Sequence, residues 1–250
     1  MADPRDDIRK YSCSSVPEFL QHVSTEISQL PSGQEGSVLL WRGHGDSNWS
    51  LEPVLAREWR GDCQGLLSAE QAMFKEFKEA APYLLPSANL NEWDRLSLAQ
   101  HYGLPTRLLD WTVNHMVALW FALSRPSAAD AVVWAYRPLK TNFADGTDLK
   151  TSPFDVKITK VYRPTAHSPR VALQAGWHTV HRFVGKENKK GLLALDRSTH
   201  HARHLARFII PKQARRNMLD RIHGLGISVT TVFGDLPNLC TDIAARHRRQ

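Results

Sequence analysis

Apolar residues Phe19, Leu20, Val23, Ile27 and Leu30 recur at helical spacing behind Ser15 and Pro17, and Pro31, Ser32 and Gly33 close the pattern. The spacing predicts an amphipathic helix of about four turns. Residues 37–44, SVLLWRGH, form an apolar extended run that predicts a strand delivering Arg42 at its C-terminal end. Gly43 and Gly45 follow, where the backbone can bend sharply or come close to a ligand. Ser68 with Gln71 reads as a capping box for a helix carrying Met73, Phe74, Phe77 and Ala81. In the middle of the chain, Asn91 and Asp94 cap a helix bearing Trp93, Leu96 and Gln100, which Gly103 and Pro105 stop. A second helix starts near Thr112 or Asn114, carries Val117, Trp120 and Phe121, and ends before Pro126. AVVWAY, residues 131–136, predicts a buried strand.

Further on, Pro138, Pro153 and Pro164 break residues 137–168 into loop with short strands. Arg170 to Gln174 and His178 to Phe183 read as two short strands around Ala175, Gly176 and Trp177, and residues 184–203 as an exposed excursion. A strand from Leu205 to Ile210, a helix from Pro211 to His223 and a strand from Ile227 to Phe233 would cross over right-handed if the strands are parallel. A last helix runs from about Pro237. The architecture expected is α+β: a single mixed domain over residues 1–250, its helices against a central sheet. It divides into an N-terminal helical segment (1–34), a core (35–240) and a basic tail (241–250).

Composition narrows the picture. Hydrophobic residues at 42% and charged residues at 23% are ordinary for a globular protein of 250 residues. No run reaches the length of a membrane span, and MADPRDDIRK lacks the apolar core of a signal peptide. Cys13, Cys63 and Cys240 are odd in number and far apart, which argues against a disulfide framework or a thiolate zinc site and points to a cytoplasmic protein with no membrane partner. A net charge of +7 suits a polyanionic partner, a nucleic acid or a phosphate-bearing ligand, but equally a solvated basic surface.

Polar and aromatic residues crowd the linker between the two central helices: Gln100, His101, Tyr102, Thr106, Arg107, Asp110 and Trp111. Arg42 at a strand end can offer a cationic fork to a phosphate while the Gly43 backbone approaches the same ligand; the alternative is an Arg tied to an internal carboxylate such as Asp110. His44 adds a hydrogen-bonding group beside them. Arg107 and Asp110, three apart, either pair to lock the turn or meet a ligand. His101 and Tyr102 can contact a ring or a ribose hydroxyl, or Tyr102 can cap the core. There is no Walker loop, GxGxxG, HExxH or nucleophile elbow. His200, His201 and His204 have only Asp196 as a nearby acid, so no metal is expected.

LAQHYGLPTRLLDWT followed by ALWFA resembles the second signature of the FRG-domain family, and Trp41-Arg42-Gly43 resembles the first, with Trp49, Leu51, Pro53 and Arg57 in family-like positions. The likeness runs from about residue 35 to residue 240. Gln174 and Gly176 also fit the family, although its Gln-x-Gly-x-aromatic pattern is displaced by one residue at Trp177. More distantly, the order of parts resembles the ADP-ribosyltransferase superfamily. That resemblance implies that Arg42 and Gly43 hold NAD; His44, His101, Tyr102, Thr106 and Arg107, read from their own positions, are the further candidates to line the same ligand. It makes Thr112, or alternatively Thr106, the middle polar group and Gln174 the late one; Asp110, from the central motif, joins Thr112 and Gln174 as a catalytic candidate. Most such enzymes end on a Glu where this chain has Gln174; Glu187 is the nearest downstream. The activity implied is an NAD-dependent ADP-ribosyltransferase or NAD glycohydrolase of bacterial toxin or phage-defence type, with nucleic acid among the acceptors. Two readings stay open beside it. One is a non-catalytic module binding nucleic acid or a nucleotide through Arg42, Arg107 and the basic C-terminal segment; the other is a metal-dependent nuclease or hydrolase using Asp110 and His101.

Overall fold

The computed structural model describes residues 3–29, 38–83, 90–165, 173–185 and 191–247. Seven strands form one sheet: β1 (Arg9–Ser12), β2 (Leu40–His44), β3 (Leu108–Thr112), β4 (Ala131–Tyr136), β5 (Lys160–Tyr162), β6 (Gly176–Val180) and β7 (Leu205–Ile210). Their order is β1-β7-β4-β2-β3-β6-β5, antiparallel except for the β1–β7 pair. This is the expected mixed α+β architecture.

Register decides what each face carries, because residues paired across a ladder share a face. Trp41 of β2, Val133 and Ala135 of β4, and Phe208 and Ile210 of β7 pack with Phe19 and Val23 of α1 (Val16–Ser28). The same cluster takes Val117 to Ala122 of α5 (His115–Leu123) and Met218 and Ile222 of the helix Arg215–Gly224. Leu40, Val132, Trp134, Leu109 and Trp111 turn the other way, against Leu51, Leu195 and Leu205. Beyond β3, Leu108, Val180 and Tyr162 are covered by Phe74 of α3 (Cys63–Ala80) and by Trp93 and Leu96 of α4 (Glu92–His101).

The sheet is not continuous where its halves meet. β2 pairs with β4 over all five of its residues, but with β3 only at Trp41 and Thr112. Past that pair the two strands diverge, and a side chain spans the gap: Arg42 Nη1 donates to the Asp110 carbonyl at 2.6 Å. Gly43 lies at the divergence because α5 crosses it. A β-carbon there would stand 1.9 Å from the Ala118 carbonyl oxygen and 2.5 Å from Ala122 N.

Several expectations need correction. Residues 229–233 form a short helix, not a strand, so the crossover unit does not exist. Their β-branched side chains favour a strand, but Ser228 and Thr231 cap one end reciprocally and Gly234, at φ 64°, turns the chain at the other. α3 begins at Cys63, where Asp62 accepts from Gly65 N; Ser68 and Gln71 lie in its interior. β1 is a strand where none was expected. Of the strand expected over 170–174, residues 170–172 lie outside the described residues, and β6 starts only at Gly176, after Ala175 at φ 45°. Leu195 and Asp196, expected on an exposed excursion, are both buried, Asp196 accepting from Arg5 and from Leu51 N.

Candidate functional site

The divergence of β2 from β3 opens a cleft of about 360 Å³. Arg42 and His44 reach it from β2, Asp110 and Thr112 from β3, and Gln174 from the approach to β6. α2 (Val54–Glu58) contributes Arg57, α5 contributes Phe121, and the turn that follows α5 contributes Arg125. A side cavity of about 110 Å³ adjoins it, lined by Ser97, Gln100, His101, Trp177 and His178. Asp110, Trp111 and Gln174 line both.

The cleft is cationic, with three arginines and a single carboxylate among its lining residues. Arg42 is 19% exposed and fixed at two points, for its Nε donates to His44 Nε2 at 3.0 Å while Nη1 holds the Asp110 carbonyl. His44 must therefore accept through Nε2, and it is kept neutral, its pKa well below the usual value through burial and then the charges of Arg42 and Arg57. Burial also lowers Arg42, with Asp110 opposing, but a guanidinium stays charged. Arg57 lies over the ring of Trp49 at 5.9 Å. Among the described residues no carboxylate comes within ion-pair distance of Arg57 or Arg125.

Asp110 sits recessed in this concave floor, yet its side chain is 62% exposed. Crowding raises its pKa, but the contact with His178, then Arg42 and Gln100, outweighs that and brings it down to about 2. Gln100 Nε2 donates to Asp110 Oδ1, and Gln100 Oε1 accepts from Thr106 Oγ1. The carboxylate is thus ionised, oriented and open to solvent. The Thr112 hydroxyl is committed to backbone, donating to the Gln174 carbonyl at 2.6 Å and accepting from Asn114 N. The Gln174 side-chain nitrogen is buried without a partner.

Arg42, Gly43, His44, Asp110, Thr112 and Gln174 line the cleft, and His101 the side cavity. The remaining candidates lie elsewhere. Thr106 is buried behind Gln100, and Tyr102 is 63% exposed, its ring edge-on to His101. Arg107 does not pair with Asp110; it is fully buried against Glu70. Ser97, His178 and Arg125 were not anticipated. His178 comes opposite Asp110 only through the β3–β6 register, which no local pattern announces. Among the described residues, no three His, Cys, Asp or Glu side chains gather as metal ligands, and no helix is long and apolar enough to cross a membrane.

A family model, the FRG domain, matches residues 37–131. That segment supplies β2, α2 to α5 and β3, while Gln174, Trp177 and His178 lie beyond it. No curated protein and no solved structure matches the chain.

Proposed function

From a chain that carries an FRG domain over residues 37–131, we propose that the cleft takes NAD and that the protein is an NAD-dependent ADP-ribosyltransferase or NAD glycohydrolase. The observation that carries this reading is the convergence of Arg42, Asp110, Thr112 and Gln174, from three separate stretches of chain, on one arginine-lined cleft. Arg42, Arg57 and Arg125 would hold the pyrophosphate through charge-assisted hydrogen bonds. The unpartnered Gln174 amide would donate to a carboxamide or ribose oxygen.

Bound NAD supplies a glycosidic bond whose leaving group is neutral nicotinamide. Positive charge grows on the ribose as that bond breaks, and an ionised carboxylate facing it lowers the barrier. Asp110 suits this task, and it occupies the neighbourhood in which the sequence offers Gln174 no Glu. Thr112 would act through position alone, anchoring Gln174. A nucleic acid is the acceptor class that the net charge of +7 favours.

The test is incubation with NAD labelled in its adenylate half, reading free nicotinamide and label transferred to DNA, RNA or protein. Nicotinamide release that disappears in Arg42→Ala supports the proposal; wild-type protein that releases none and transfers no label overturns it. One observation favours a second reading, a nucleotide-binding module without turnover: the Thr112 hydroxyl and Asp110 Oδ1 are already engaged by neighbours. Tight binding of ADP-ribose without NAD cleavage would select it.

A further inference from the structure

Ser97, His178 and Asp110 stand in line between α4, β6 and β3. Ser97 Oγ lies 2.7 Å from His178 Nε2, and His178 Nδ1 lies 3.1 Å from Asp110 Oδ1. Asp110 and His178 are direct partners in the β3–β6 ladder, so their side chains share a face. Ser97 and Gln100, three apart, both reach that face from α4. The order hydroxyl, imidazole, carboxylate, with the hydroxyl on one ring nitrogen and the acid at the other, is the one that activates a serine. The Nδ1–H direction misses an aligned hydrogen bond to Asp110, a looseness that sites without ligand commonly show.

A histidine that merely tied α4 to the sheet would need no space beside it. Here all three side chains line the 110 Å³ cavity. Ser97 sits inside α4, where its backbone N–H is used by the helix, so an oxyanion needs a donor from elsewhere. Gln174 provides one: its buried side-chain nitrogen has no partner, and Gln174 lines the same cavity. A side-chain amide is an effective donor in that role.

We propose that this cavity is a second catalytic centre, an esterase for short-chain acyl esters of phosphate-bearing alcohols, with Ser97 as nucleophile. It goes beyond the NAD reading while sharing Asp110 and Gln174 with it. A cavity of about 110 Å³ suits a short acyl group, and the shared residues place the alcohol half among Arg42, Arg57 and Arg125. Ser97 Oγ attacks the ester carbonyl as its proton passes to His178 Nε2, and Gln174 Nε2 donates to the oxyanion. The carbon–oxygen bond to the alcohol breaks, and His178 returns the proton to the departing alkoxide. Water then attacks the acyl-serine, giving a proton to His178; the acid leaves, and that proton restores the Ser97 hydroxyl.

The experiment treats the full-length protein with a small fluorophosphonate, maps the adduct by mass spectrometry, and follows acetate release from 1-acetylglycerol 3-phosphate and from 1-acetylglycerol. A single adduct at Ser97 is expected, absent in Ser97→Ala. Hydrolysis should fall about 100-fold or more in His178→Ala, and the phosphate ester should be preferred about tenfold or more. Folded wild-type protein that takes no adduct at Ser97, or unchanged hydrolysis in Ser97→Ala, overturns the nucleophile; equal rates on the two esters overturn the substrate class. NAD turnover measured on the same preparation separates this proposal from the other, because either activity can be present without its counterpart.

Discussion

Arg107 Nη2 lies 2.7 Å from Glu70 Oε2, and the two side chains are 0% and 1% exposed. Glu70 also accepts from the Arg107 backbone N–H at 2.7 Å, while Arg107 Nη1 donates to the Phe154 carbonyl and the guanidinium covers the Phe154 ring at 4.6 Å. This pair ties the start of β3 to α3, and so sets where Asp110 stands.

Removing one member of a sealed pair leaves the other charge buried and uncompensated. Glu70→Ala should therefore cost about 3–5 kcal/mol of stability, seen as a lower urea midpoint with an unchanged slope. Glu70→Gln combined with Arg107→Met, which removes both charges and keeps an acceptor for the backbone N–H of residue 107, should recover most of that loss. A single variant as stable as the wild type would mean that the pair is solvated.

Gly43→Ala should destabilise by about 3 kcal/mol or more, because the new methyl would meet the backbone of α5 rather than a side chain able to move. For a chain of this size that lowers the melting temperature by roughly 6–12 °C. Gly45→Ala is the control: its nearest contact would be 3.7 Å, ordinary van der Waals distance. Equal melting temperatures for the two variants would contradict the close crossing of α5 over β2.

The central motif was legible because its signals are local. Asn91 accepts from Asp94 N, as the cap pattern requires, and Asn114 caps α5. β4 is apolar throughout and is buried throughout. Less could be read where pairing is remote. β1 is the polar run Arg9–Ser12, made a strand by lying parallel to β7. Asp110 is the acid closest to Arg107 in the chain, but Glu70 reaches it from α3, and nothing near Arg107 marks that partner. For the same reason the cleft was more visible than the side cavity: Arg42 and Asp110 lie in recognisable motifs, whereas His178 acquires its place only from the β3–β6 register.

Two buried histidines give the fold a pH dependence of known sign. Burial pushes His181 down to about 4, with the Leu193 carbonyl opposing and Arg107 and Arg42 assisting. It pushes His201 down to about 3, helped by His200, His181 and His204. Both are neutral in the fold, so on acidification the unfolded chain takes up protons first, near its ordinary value of about 6.5. Stability is thus complete above that value and is lost as pH falls toward the folded pKa values, by about 1.4 kcal/mol per histidine per pH unit. Urea midpoints at pH 7, 6 and 5 should fall steadily, and less steeply in His181→Gln. A midpoint constant over that range would show that these imidazoles titrate normally.

Asp110→Asn separates binding from chemistry in the cleft. The amide keeps the size of the carboxylate and can still accept from Gln100 Nε2, so the floor should hold its shape. What disappears is the negative charge, which the proposed reaction needs opposite the developing ribose cation and which phosphate binding does not need. NAD cleavage should fall about 100-fold or more. Binding of ADP-ribose, measured by calorimetry, should stay level or tighten, because Arg42 no longer has that carboxylate 4.0 Å away competing for it. Cleavage at the wild-type rate would remove Asp110 from the chemistry. Weakened ADP-ribose binding would mean instead that the carboxylate grips the ligand directly, as an acceptor for ribose hydroxyls.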